Sequence, residues 1–232
     1  MIGKAIKTVL LAALALLALG IGWYFYVNLS VRESYRQKMA VEVETPAGLR
    51  SASSVVGVVQ GDQKLVLGQP GGRGYADLSG EAVVLEWRRV DTCLRCSMGA
   101  MLAQQVFAPE IGLNGLPITH PDMEVWLKWL AKLRIRREMP KKLYPLLVTF
   151  ADIDDPKTVR RVDPDDLAAS FGPGVALKSI SIEITGEKVT TGKVEQVLGW
   201  LGEYPETPVL PKIDPKDFSF EAKLRQGSFI RR

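Results

Sequence analysis

Hydrophobic and polar positions are unevenly distributed along this chain of 232 residues. Residues 8–27 (TVLLAALALLALGIGWYFYV) carry no charge. As a helix rising about 1.5 Å per residue, this stretch reaches roughly 30 Å, the thickness of a bilayer's hydrocarbon core. It is apolar on every heading, as lipid contact all round requires, whereas a helix packed on a globular core keeps a polar face. Trp23, Tyr24 and Tyr26 close its far end, where an aromatic belt meets the headgroups. Lys4 and Lys7 precede it, no small-x-small cleavage site stands before the aromatics, and no cysteine follows that could take a lipid. The pattern therefore predicts an uncleaved signal anchor over residues 1–27. Arg32, Arg36 and Lys38 follow closely, so the positive-inside count is nearly even. The signal-like layout of the N-terminus places it inside, with the bulk of the chain outside the cytoplasm. The expected location is the inner membrane, crossed once, with a periplasmic domain.

Residues 28–40 (NLSVRESYRQKMA) read as a polar juxtamembrane extension of that helix. A soluble domain over residues 41–204 follows. Val41 and Val43 alternate with Glu42 and Glu44, Pro46-Ala47-Gly48 is a turn, and residues 49–59 form a Val- and Ser-rich strand. Gly61-Asp62 reads as a two-residue hairpin loop before residues 64–67. Residues 81–88 (EAVVLEWR) are a strand whose consecutive Val83, Val84 and Leu85 suggest burial on both faces. Two helices come next. One covers residues 97–107, with Met98, Met101, Leu102 and Val106 on one stripe. The other covers residues 121–137, with Trp126, Leu127, Leu130 and Leu133 as its apolar face. Residues 146–150 form an apolar strand. Asp163-Pro164-Asp165-Asp166 opens a short helix, with Asp163 at its N-cap and Pro164 at its first position, and Gly172 ends it. Residues 179–185 alternate strictly, with Ile180, Ile182 and Ile184 on one side and Ser181, Glu183 and Thr185 on the other, so one face of the strand is expected to meet water. Thr190 or Thr191 caps a last helix through Val194, Val197, Leu198 and Leu201. Residues 205–232 form an extended tail, rich in proline at Pro205, Pro208, Pro211 and Pro215. Strands first, then mixed strands and helices, make the fold class α+β.

The formal charge is +4, and two of those charges are Lys4 and Lys7 ahead of the apolar stretch, which leaves +2 elsewhere. That is not the footprint of a nucleic-acid binder, so no nucleic-acid partner is expected. Two cysteines and one histidine exclude a disulfide-rich scaffold, a Cys₄ metal site and any site needing two imidazoles. No cofactor is implied. The glycines of residues 68–74 (GQPGGRG) lack the Gly-Lys-Ser/Thr of a phosphate cradle. The acids of residues 152–166 do not fit the calcium-loop template, which needs a glycine at the sixth position and a bidentate glutamate at its end, so turn and cap duties are expected of them. His120 stands without a nucleophile motif.

Two constellations remain. Cys93-Leu94-Arg95-Cys96 is a Cys-x-x-Cys pair between a strand and a helix. Lys128, Lys132 and Arg136 fall at i, i+4 spacing on the predicted helix, interleaved with Trp126 and Trp129, and form a candidate membrane-surface face beside the anchor. The alternative for that face is an ordinary solvated side.

The Cys-x-x-Cys placement resembles the thioredoxin arrangement, in which a helix N-terminus lowers the first thiol's pKa. Tyr144-Pro145 stands before the strand of residues 146–150, as the cis-proline of that family does, and residues 179–185 and 193–201 resemble its closing strand and helix. The resemblance covers about residues 81–202. It implies thiol–disulfide exchange with Cys93 as nucleophile, Cys96 as resolving thiol and Pro145 facing them. Thr92 replaces the usual aromatic, Leu94-Arg95 lacks the usual Pro or Gly, and the insert before Lys178 has no counterpart. Structural roles for the two thiols, or a metal or a partner cysteine, stand as the alternatives.

The block LLVTFADIDDPKTVRRVDPDDLAASFGPGV, with KSISIEITGEKVTTG after it and VEVETPAGLRSASSVVGV before it, resembles proteobacterial membrane-anchored or exported proteins of uncharacterised function. That resemblance implies location rather than chemistry. The sequence thus points to a membrane-anchored binding or envelope-assembly module, contacting the lipid bilayer through residues 8–27 and a protein partner in the envelope. A membrane-tethered oxidoreductase is the alternative.

Overall fold

The computed structural model describes residues 2–28, 31–63, 73–87, 90–94, 99–107, 120–201, 224 and 226–231. A long helix, α1 (Ile2–Asn28), leads into an α+β domain. Side chains are described in α1 for residues 6–7 and 10–23, and its large apolar ones are exposed, from Ile21 at 49% to Leu16, Leu19 and Trp23 at 70%. Among the described residues, no helix is long and apolar enough to cross a membrane.

The domain is organised around β1 (Val31–Thr45) and β2 (Gly48–Gln63), an antiparallel hairpin paired without interruption from Val31↔Asp62 to Thr45↔Gly48. Its turn is Pro46-Ala47, with Gly48 at φ +106°, a left-handed conformation that L side chains resist. Thr45 Oγ1 accepts from the Ala47 amide and donates to the Gly48 carbonyl. On β1 every second residue from Tyr35 to Thr45 is buried, while Arg36, Lys38, Glu42 and Glu44 lie on the other face. The helical extension expected over residues 28–40 is therefore corrected: residues 31–40 are strand. The alternation was masked because Gln37 occupies a core-facing position at 2% exposure. The two-residue hairpin loop at Gly61-Asp62 is also corrected. Both residues lie within β2, whose outer neighbour is β3 (Arg73–Glu81). Residues 64–72 lie outside the described residues.

A six-stranded sheet results, in the order β10-β3-β2-β1-β9-β6, with β9 (Ala176–Thr185), β6 (Arg136–Glu138) and β10 (Ile230–Arg231). All its pairings are antiparallel. Ile180, Ile182 and Ile184 are fully buried as expected, but the water-facing side expected of residues 179–185 is corrected: Ser181 and Thr185 are buried too, at 3% and 8%, and Arg136 lies on Ser181. A second, four-stranded antiparallel sheet has the order β4-β5-β7-β8, from β4 (Val83–Trp87), β5 (Val90–Leu94), β7 (Leu147–Phe150) and β8 (Val159–Val162).

This second sheet separates two cores. One gathers Val83, Leu85, Leu147 and Val162 with the inner face of β1 and β9 and with helices α2 (Gly99–Phe107) and α3 (His120–Lys132). Trp126 and Trp129 stack at 5.2 Å on α3, and Trp126, Leu127 and Leu130 are buried, as the helical stripe predicts. The other core gathers Ala82, Val148, Phe150 and Val159 with Val194 and Leu198 around the short helix α5 (Lys193–Val197). Residues on β4 thus alternate between two apolar environments, which explains the consecutive apolar run there.

The expected tail is corrected at its end. Residues 205–223 lie outside the described residues, but Leu224 and residues 226–230 are buried. Phe229 packs on Phe150 and Trp200 at ring distances of 6.4 and 6.5 Å, its carbonyl accepts from the Ala82 amide at 2.7 Å, and Ile230 pairs with Glu81. The C-terminus is therefore an edge strand and a core plug.

Candidate functional site

The long helix predicted over residues 121–137 ends at Lys132. Arg134 Nη1 donates to the carbonyls of Ala131 and Leu133, covering exposed acceptors at the helix end. The chain then enters β6, so Arg136 is a strand residue. The proposed basic face is corrected accordingly: Lys128 and Lys132 are on α3, but Arg136 is not on their helix. Arg136 pairs across the sheet with Glu183 in register. Its Nε donates to Ser181 Oγ at 2.8 Å and its Nη2 to Glu42 Oε1 at 2.8 Å. Helical spacing alone could not reveal this, because the i, i+4 match continues across an element boundary that only the pairing with β9 imposes.

Glu42 is the hub of this outer face. Beside Arg136, its carboxylate accepts from Ser179 Oγ at 3.4 Å and lies 4.0 Å from Lys178 Nζ. The Arg136 hydrogen bond holds its carboxyl below the usual carboxylate value. The register between β1 and β9 shifts at Glu42/Val43. Such a bulge sets an extra residue on one strand and re-aims its side chain. Lys38 Nζ donates to Glu187 at 2.7 Å, and Arg36 donates to the carbonyls of Gly186 and Glu187, which fixes the loop after β9 against β1.

Next to this patch lies a groove of about 580 Å³, walled by residues 138–141 and 144 on one side, 164–168 on the other, and 175–178 along the start of β9. Met139, Leu167 and Val175 are buried at its floor. Pro140 ends β6 and starts the 3₁₀ turn Lys141–Leu143. The opposite wall is the start of helix α4 (Leu167–Phe171). Its cap is Asp166, which accepts from the Ala169 amide at 3.0 Å, rather than Asp163, which accepts from the Asp165 amide at 2.9 Å. Gly172 ends α4 at φ +96°, as expected. An ion pair between Lys141 Nζ and Asp165 Oδ1 joins the two walls, and that hydrogen bond raises the Lys141 pKa. The acids of residues 152–155 hold turns: Asp152 accepts from the Asp154 amide and Asp155 from the Lys157 amide.

Glu81 is a site residue that sequence reading passed over. It is 1% exposed, and its two carboxylate oxygens accept from the Lys193 and Val194 amides at 3.1 and 3.2 Å, holding the first turn of α5. Gly192, not Thr190 or Thr191, is the N-cap. Thr190 instead bonds both ways with the backbone of Val55, its amide donating and its hydroxyl accepting at 2.9 Å each. Burial pushes the Tyr35 hydroxyl pKa up.

The cysteine motif is brought together only in part. Cys93 lies within β5, opposite Val84 and Val148 in register, and Cys96 lies outside the described residues. The strand leading to Cys93 is β5, the second arm of a hairpin, rather than residues 82–87. The supposed closing strand, β9, belongs to the other sheet. The thioredoxin likeness is therefore not a likeness of topology. One element of it persists: β7 begins two residues after Pro145 and runs antiparallel to β5, with Leu94 opposite Leu147. Among the described residues, no group of three or more His, Cys, Asp or Glu is arranged to hold a metal ion. The chain matches no family model, no curated protein and no solved structure.

Proposed function

We propose that the chain is a single-pass inner-membrane protein whose α+β domain lies outside the cytoplasm and serves as a binding or envelope-assembly module. One observation carries the reading: a run of exposed apolar side chains on α1, from Leu10 to Trp23, that belongs to neither core of the domain. Left in water, such a surface costs about 25 cal/mol per Å². A bilayer removes that cost, and residues 8–27 bring no charge into it. The domain spends three of its carboxylates on its own fold. Glu81 holds a helix, Glu42 holds Arg136, and Asp166 caps α4. The groove beside β9 is the candidate contact site.

The test is membrane extraction and topology of the full chain. Retention in the pellet after alkaline carbonate, with an active phosphatase fused after Arg232, is expected. Release by carbonate, or a signal from a cytoplasmic reporter at the same place, overturns the reading. The second reading, a tethered oxidoreductase using Cys93, Cys96 and Pro145, is favoured by the antiparallel pairing that sets Pro145 and the end of β5 at one end of the second sheet. A Cys93/Cys96 couple in the range of exchange catalysts, above about −270 mV, supports it; a couple below about −300 mV rejects it.

A further inference from the structure

We infer that the Lys141–Asp165 ion pair is a clasp across the mouth of the groove, which opens by letting go of the lysine side chain and without movement of either wall. The inference rests on the reading of this groove as the contact site. Three observations carry it. The two residues come from opposite walls and stand 24 apart in the chain, so their bond bridges the walls. Both side chains are mostly exposed, at 73% and 63%, which sets them at the rim. The floor beneath them is apolar, with Met139, Leu167 and Val175 at 2–4% exposure.

The two ends of the clasp differ in stiffness. Asp165 stands in a turn fixed by its own amide's bond to Asp163 and by the Asp166 cap of α4. Lys141 reaches it on a four-carbon stem with many rotamers. Exposed pairs of this kind bias an equilibrium by a small factor and weaken as salt shortens the Debye length from about 10 Å at 0.1 M to about 3 Å at 1 M. The mouth of the groove is thus narrowed lightly, and neither wall has to unfold for the floor to become more accessible.

The test uses the full chain in detergent micelles, with Cys93→Ala and Cys96→Ala so that one introduced thiol is read. Val175→Cys places a thiol on the groove floor, and Val194→Cys places one in the other core, where position 194 is fully buried and does not line this groove. The probe is N-ethylmaleimide. Asp165→Asn is expected to speed labelling at position 175 by about two- to fivefold and to leave position 194 unchanged. High salt should speed labelling at 175 in the presence of Asp165 and have no further effect after Asp165→Asn. The exchanged pair Lys141→Asp with Asp165→Lys should restore slow labelling. An unchanged rate at 175 overturns the clasp. So does an equal rise at 175 and 194, since the pair would then support the whole fold. Where Val175→Cys fails to fold, Leu167→Cys is read in its place. No ligand enters this experiment, so its failure leaves the binding reading standing, while carbonate release or inverted topology would remove that reading and leave the clasp.

Discussion

Removing the ring of Phe229 should be the most costly single truncation near the C-terminus. Phe229 is 1% exposed and touches Phe150 and Trp200, which also meet each other at 5.5 Å. Phe229→Ala loses the transfer energy of a full ring and leaves a cavity, together about 3–5 kcal/mol. Each lost aromatic pair contributes to the upper part of that range. Because a domain holds only about 5–15 kcal/mol in all, the loss is a large share of its stability. In urea, at a slope of roughly 2 kcal/mol per molar, the midpoint should fall by about 1.5–2.5 M. The assay is a urea titration of the full chain in micelles, followed by tryptophan emission, since Trp200 lies against the altered site and donates to the Ile153 carbonyl at 2.6 Å. Phe229→Leu should recover much of the loss by refilling the volume. Truncation after Lys223 should cost at least as much as Phe229→Ala, because it also removes Leu224, Ile230 and the β10 pairing with β3. A midpoint for Phe229→Ala within about 0.5 M of the parent, a shift of about 1 kcal/mol, would refute the placement of the C-terminus in the second core.

Three further outcomes follow from the same structure. Glu81→Leu strips the acceptors from the Lys193 and Val194 amides at a largely buried helix start and should cost about 2–3 kcal/mol in the same urea titration, with Glu81→Gln costing less. Glu42 has a carboxyl lowered by its hydrogen bond to Arg136. Its contribution is therefore complete above the ordinary value of 4.5 and is lost as pH falls through the lowered folded value. Glu42→Gln should remove that acid-limb dependence from the melting temperature between pH 5 and pH 2, and an acid limb unchanged by the substitution would contradict it. Gly80→Ala should cost about 1–3 kcal/mol by thermal melting, because Gly80 stands at φ +125° and a Cβ there would lie 3.0 Å from the Val55 carbonyl and 3.2 Å from Val189 Cγ1.

Much of the domain is legible wherever a residue's neighbours in sequence decide its state. Ile180, Ile182 and Ile184 announce a strand with one face in the core, Trp126, Leu127 and Leu130 announce a helix face, and Gly172 announces a helix end. Each is a local signal, set by a period of two or 3.6 or by the conformational freedom of one glycine. The candidate site was less legible. Lys128, Lys132 and Arg136 share a spacing but not an element. Glu81 looked like the first residue of a strand, and its carboxylate is spent on amides more than a hundred positions away in the chain.

The sequence by itself determined the α+β class, the charge-free stretch ahead of the domain, and the identity of most core residues, because burial follows side-chain chemistry. Tertiary structure alone decided which backbone pairs with which. Residues 31–40 became a strand because residues 53–62 offered a continuous ladder, even with Gln37 in the core. The chain after α3 became a strand because β9 had an open edge there, and the last residues returned because β3 and the ring of Phe150 gave them a ladder and a cavity to fill. Backbone hydrogen bonds are chemically the same at every residue, so a sequence period can say that a segment wants a partner and cannot say which one.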